Sequence, residues 1–278
     1  MSLGVFLAVL GAAFLHALWN ALIKLGTSKV GTMVILSVIE IPIGLAVVAV
    51  SPPIDAAAIP WVIAAGCTHF AYKFFLTYAY DRGDLSRVYP IARGAAPMVV
   101  ALAGAMMLPD AVSGRQYVAI AVLGLGILMM ARGVFSSGED RRLLPFALGS
   151  AAATATYTMI DGMGARISGA PAAYVAWVFV ADGLIFTLGM LTLRGTSVLP
   201  RDGRAWGLGS VASVASYGAY AVSIWAMTIA PIAVVAALRE TSILFAVLIG
   251  WIAFGEKMSG EKALAACVIV AGVLLTRL

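Results

Sequence analysis

Val88-Tyr-Pro-Ile-Ala-Arg93 and Val234-Val-Ala-Ala-Leu-Arg239 read as two versions of one segment. An ungapped shift of 146 residues lays Asp81–Tyr117 on Met227–Ala263 and carries Arg93 onto Arg239. The same register pairs Val88 with Val234, Ser113 with Ser259, Gly114 with Gly260 and the acids Asp110 with Glu256. No single pair persuades; together, without a gap, they indicate an internal duplication. Both arginines lie about a third of the way into strongly apolar stretches, where a charge costs roughly 2.5–3.5 kcal/mol on insertion scales. A cost met twice at equivalent positions calls for a use.

The rest of the chain says what medium those stretches occupy. Of 278 residues 62% are hydrophobic and 11% charged, and the mean hydropathy is +1.02, far from the balance of a soluble domain. A spanning helix needs about 20 apolar residues. The chain parses into ten such stretches, at 3–25, 31–50, 60–80, 86–108, 115–132, 143–163, 172–193, 205–229, 232–254 and 261–277. Only Ala230 and Pro231 mark the break before the ninth, a boundary supported by the bias of pre-proline residues away from helix. Continuous apolar runs exclude a β-barrel, whose strands alternate, so the spans are helices with internally satisfied backbones. The first segment lacks a basic start and carries His16, Trp19, Asn20 and Lys24 at its far end, so it reads as a spanning helix rather than a cleavable signal.

Ten spans divide into repeats at 1–138 and 139–278, five helices each. An odd number makes the second copy enter from the opposite side, the inverted-repeat plan of secondary transporters. The expected fold is an all-α polytopic membrane protein with two inverted five-helix repeats around a central cavity. Arg93 and Arg239 each fall about eight residues into a helix, roughly 10 Å below opposite surfaces at 1.5 Å per residue, and would straddle the midplane. The odd-numbered loops hold Lys24, Lys29, Arg82, Arg87, Arg132, Arg141, Arg142, Arg194, Arg201, Arg204, Lys257 and Lys262; the other side holds Arg115, Arg166 and Arg277. The positive-inside rule then puts the odd loops in the cytoplasm of a plasma (inner) membrane protein and both termini outside.

Three runs carry a family resemblance: His16-Ala-Leu-Trp-Asn-Ala-Leu-Ile-Lys24, Gly83-Asp-Leu-Ser-Arg-Val-Tyr-Pro-Ile-Ala-Arg-Gly-Ala-Ala-Pro97 and Ala230-Pro-Ile-Ala-Val-Val-Ala-Ala-Leu-Arg-Glu-Thr-Ser242. They resemble the drug/metabolite transporter superfamily in its EamA-type branch and, within it, a subgroup associated with phosphonate use. The resemblance spans essentially the whole chain. It implies a ten-helix bundle with a central cavity that exports or exchanges small metabolites without ATP. Members handle amino acids, sugar phosphates, nucleotide sugars and cationic drugs, so the family leaves the substrate open.

Side-chain chemistry narrows it. Arg93 and Arg239 each offer a planar fork of donors to a carboxylate or phosphate, which favours an anionic or zwitterionic ligand. The competing reading holds each arginine permanently on an acid or on carbonyls. Glu240 is the obvious suspect for Arg239, although neighbours in a helix point about 100° apart. Glu40 and Asp182, near the middle of the second helix of each half, are proton-coupling candidates; the bland alternative is a salt bridge with Lys73 or an arginine. His16 and Asn20 share a helix face and, with Trp19, Lys73, Tyr89 and Glu240, complete the expected substrate site. Asp161 is the counterpart of Asn20. Tyr72, Tyr78, Tyr157, Tyr217 and Tyr220 rank lower, because aromatic residues near helix ends are usually interfacial anchors. His69 reads as a satisfied interior histidine, and Cys67 and Cys267 as inert small core residues. Gly124 with Gly126, and Gly207 with Gly209, would allow close helix approach; Pro90 and Pro97 would bend the fourth helix beside Arg93.

Other classes fit poorly. There is no Gly-rich phosphate loop and no stretch long enough for a nucleotide domain, no paired-histidine metal motif and no serine-histidine set. The chain is therefore expected to be no enzyme and to need no cofactor or metal. Its partners are a small-molecule substrate and the lipid bilayer, with a homodimer admissible. Positive charge spread over loops gives no case for nucleic acid. The main rival is an exporter of cationic or amphipathic drugs and metabolites that uses the buried carboxylates.

Overall fold

The computed structural model describes residues 1–25, 28–80, 92, 96–107, 110, 112–136, 142–255 and 258–277, with the side chains of 24, 29, 80, 107, 130–136 and 254 left aside. Among these there are eleven α-helices: α1 (Leu3–Leu25), α2 (Lys29–Val50), α3 (Ile59–Tyr80), α4 (Ala96–Met107), α5 (Gly114–Ser136), α6 (Leu143–Ile167), α7 (Pro171–Arg194), α8 (Gly203–Ile229), α9 (Ile232–Arg239), α10 (Ser242–Phe254) and α11 (Gly260–Leu275). They make ten spans, α9 and α10 together forming the ninth. Helix starts follow local chemistry: Ser28, Asp202 and Ser259 each accept a backbone N–H of the first turn of α2, α8 and α11, as N-caps do. Gly255, at φ +65°, ends α10 in the left-handed conformation that lacks a Cβ penalty.

The ninth span corrects the expectation of one continuous helix over 232–254. After Arg239 the backbone tightens, with Glu240 N–H donating to Ala237, Thr241 N–H to Leu238 and Ile243 N–H to Glu240, each three residues back. Such a 3₁₀ step inside a helix marks a hinge or a local constraint. Here it immediately follows the buried arginine.

Packing follows the repeat. α3 lies on α6 as α8 lies on α1; α3 meets α7 as α8 meets α2; α4 meets α6 as α10 meets α1. The pairs α2/α7, α5/α11 and α4/α9 are each their own counterpart. This is the pattern of two inverted five-helix repeats. In α2/α7, Gly183 stands against Ser37 while Gly44 stands against Ala176, so the two helices run antiparallel. In α5/α11, Gly126 meets Ile269 and Gly272 meets Leu123, with the same sense.

Two faces of the membrane are defined by loop contacts. Arg277 donates to the carbonyl of Met1, and Asp55 N–H to the carbonyl of Ser168, so both termini and the even-numbered loops share one surface, called here the terminal face. Gly31 and Pro200 meet at the other. Large apolar residues such as Leu102, Met106, Val214 and Ile252 point outward, whereas Glu40, Lys73, Asp161, Asp182 and Arg239 are buried. That inside-out distribution suits lipid, which accepts apolar surface freely and penalises charge. Cys67 and Cys267 belong to the outer set, against the expectation of core positions: each helix turns its polar or small face inward. Gly207 likewise meets nothing within 4 Å, whereas Gly124 packs on Met98 and Gly209 on Ile35.

Glycine at 183 is required by distance: a Cβ there would lie 2.6 Å from the Ser37 carbonyl oxygen, a backbone atom that cannot yield locally. Gly183→Val is expected to lower stability by about 1–3 kcal/mol in a detergent melt, while Gly207→Val leaves it nearly unchanged. Because Ser37 and Glu40 ride on the displaced helix, transport falls with the first variant.

Candidate substrate and coupling site

Polar side chains converge between the halves from helices that are equivalent in the repeat. α3 and α8 are not among the helices apolar and long enough to qualify as spans alone, unlike α1, α2, α6, α7 and the ninth span. Their polar residues are what these two helices contribute. His69 and Lys73 are four apart on α3, and Ser216 and Tyr220 four apart on α8, so each pair shares a helix face one turn apart.

The first cluster is built on Lys73. Its ammonium donates to Ser37 Oγ at 2.9 Å and Glu40 Oε2 at 2.8 Å, and lies 2.5 Å from Asp182 Oδ2. Its three N–H donors thus meet three acceptors from α2 and α7. Glu40 Oε1 accepts Ser216 Oγ–H at 3.0 Å, while Asp182 Oδ1 has no hydrogen-bond partner among the described residues. When all three groups are ionised the cluster carries one negative charge in excess. The carboxylates expected at mid-helix are therefore together, and the lysine considered as their partner is between them.

The second cluster is built on Asp161 of α6. His69 Nε2 lies 2.8 Å from Asp161 Oδ2; Tyr220 O–H donates to the same oxygen and Tyr174 O–H to Oδ1 at 3.1 Å. The His69 ring stacks on Tyr157, centroids 4.2 Å apart, which in turn meets Tyr72. Tyr217 packs on Phe179 instead, and Tyr78 lies under Arg194 near the face opposite the termini. His69 is thus an interior histidine with partners, as read. Its pairing with Asp161, 92 positions away, has no signal in a one-dimensional pattern.

Arg239 lies over this second cluster, its guanidinium carbon 5.3 Å from the Tyr220 ring centroid, an arrangement that supplies cation–π attraction. The residue is 5% exposed, Nη1 has no hydrogen-bond partner, and no carboxylate is within ion-pair distance among the described residues. Glu240 is buried at the 3₁₀ step. His16, Trp19 and Asn20 form a local set on α1: Trp19 Nε1–H donates to His16 Nδ1 at 3.2 Å and Asn20 Nδ2–H to the His16 carbonyl at 2.8 Å. Arg93, Tyr89 and Pro90 lie outside the described residues.

A further contact went unread in the sequence. Arg166, at the end of α6, binds Asp110 through both terminal nitrogens at 2.6 and 3.2 Å. It also donates to the carbonyls of Met227 and Ala230, while Asp110 Oδ2 accepts Ile232 N–H at 2.8 Å. The clamp joins the halves at the terminal face and satisfies the orphan groups where α8 ends and α9 begins. Arg166→Ala is expected to cost about 1–3 kcal/mol of stability, more than Asp110→Asn, which keeps an acceptor for Ile232; thermal unfolding in detergent reads both.

An inverted-repeat helical bundle with charged clusters at the junction of its halves is a plan common among secondary transporters. Residues 142–278 match the EamA-like transporter family, whose members are transporters of the drug/metabolite type. A structure described only as "Crystal structure of protein" matches with a TM-score of 0.72 at 17% identity, covering 98% of this chain and 94% of its own; at that identity the likeness concerns the fold. No curated protein matches the sequence.

Proposed function

We propose that this transporter moves small anionic or zwitterionic metabolites by alternating access of its two halves, with Arg239 binding the acidic group and Arg93 as its counterpart in the repeat. The supporting observation is the Nη1 of this buried guanidinium, unpaired among the described residues, since a buried charged donor without a partner is costly and a carboxylate or phosphonate supplies what is missing. Asp182 Oδ1 offers an acceptor for the ammonium of a zwitterion. One carboxylate of the Glu40–Lys73–Asp182 cluster is proposed to carry a transported proton, because one proton removes its excess charge. His16, Trp19, Asn20 and Glu240 are proposed as further wall of the site, and the odd-numbered loops as cytoplasmic.

The test is uptake and counterflow in proteoliposomes with small amino acids, organic acids, phosphonates, sugar phosphates and quaternary amines. Movement of acidic or zwitterionic compounds, with accumulation driven by a pH gradient, is the expected result. Movement of quaternary amines alone would overturn it in favour of a cation exporter, the reading that Asp182 Oδ1 otherwise favours.

A further inference from the structure

Asp161 is fully buried, at 0% exposure, yet collects donors from three helices: His69 of α3, Tyr220 of α8 and Tyr174 of α7. Tyr220 in turn offers its ring face to Arg239. A single tyrosine therefore stands between a buried anion, held at its hydroxyl, and a buried cation, held on its face. We propose that protonation of His69 switches Arg239 from an internally balanced state to one that takes up an external anion, which couples proton binding to substrate binding. This rests on the anion reading above.

With His69 neutral, Nε2–H donates to Asp161, and the carboxylate's charge balances Arg239 across Tyr220. A proton taken from water enters at Nδ1, which makes no hydrogen bond among the described residues. His69 and Asp161 then form a neutral pair, and Arg239 is left uncompensated. A small anion restores the balance. Acid favours the charged imidazole, so anions bind more tightly as pH falls. By reciprocity a bound anion favours the proton equally, the thermodynamic condition for carrying the two together.

The groups around His69 allow this accounting. α6 contributes Asp161 and Tyr157, α8 Tyr220, and α7 Tyr174 through Asp161. Lys73, one turn along α3, is already matched by Glu40 of α2 and Asp182 of α7. Arg239 and the adjacent Glu240 come from the ninth span.

Sulfate, methanesulfonate and glycine do not titrate between about pH 5.5 and 8, the window of histidine, so their binding to the purified protein in nanodiscs reads the protein's protons alone. Wild type is expected to bind roughly tenfold more tightly at the acid end. His69→Gln should hold weak affinity at every pH, and Asp161→Asn tight affinity at every pH. A network that merely ties helices together would weaken binding in the same direction in both variants, and that result overturns the proposal. So does a retained wild-type pH dependence in either. Wild type alone supplies a second measurement: adding sulfate in weak buffer should take up protons, and no uptake overturns the coupling. Binding that is absent in wild type, or unaffected by Arg239→Ala, overturns the anion reading itself.

Discussion

Arg239→Ala abolishes substrate transport while the protein melts within about 1 kcal/mol of wild type. The two halves of that result have separate causes. Hydrogen bonds to charged groups are worth about 1.5–3 kcal/mol each, so removal of the fork weakens anion binding by roughly 10- to 100-fold at 1.4 kcal/mol per tenfold. Stability holds because the wild-type side chain is already a burden on the fold. Its Nη1 is buried without a partner among the described residues, and the attraction to Tyr220 recovers only about 0.5–2 kcal/mol. A structural arginine would behave oppositely, with a large loss of melting temperature. Arg239→Lys keeps the charge but not the planar fork, so it should fold like wild type and recover little of the affinity. Counterflow with the best compound of the panel, beside a melt of each variant, separates the two accounts.

Lys73→Met produces the largest loss of stability, about 3–5 kcal/mol, the range for leaving a buried charge uncompensated. Methionine fills a similar volume, so packing changes little. What remains is a pair of carboxylates, Glu40 and Asp182, both within 3% side-chain exposure, with no cation between α2 and α7. The double variant Lys73→Met/Asp182→Asn removes one of the two charges and should recover part of the loss, although transport driven by a pH gradient stays absent. Thermal unfolding of the two variants and the parent in one detergent measures this directly. Equal melting of Lys73→Met and wild type would show that the carboxylates are protonated without the lysine.

These two residues also mark where sequence reading succeeds and stops. Arg239 was legible because a charge stands in an apolar run and recurs at Arg93 after a fixed interval. Lys73 was legible as a buried cation, and a bridge to Glu40 or Asp182 was one reading of it. The pairings of His69 with Asp161 and Arg166 with Asp110 had no comparable signal. Each joins residues at least 56 positions apart, and neither shows in periodicity, because only the approach of whole helices brings them together. Even α9 and α10 looked continuous: the 3₁₀ step after Arg239 carries no glycine or proline.

The membrane setting, the ten spans and their inverted halves are written in the chain itself. Lipid offers backbone groups no water, so spans must be helical, apolar and about 20 residues long, and five of them per copy force inversion. Tertiary structure alone decided which charges pair, which cysteines face lipid and that Arg239 has no acid within ion-pair distance among the described residues. Those outcomes depend on how deeply helices approach one another. Such depth is set at positions like Gly44 and Gly183, where one missing side chain lets a neighbouring backbone in, and it follows from shape in three dimensions rather than from hydrophobic pattern along one.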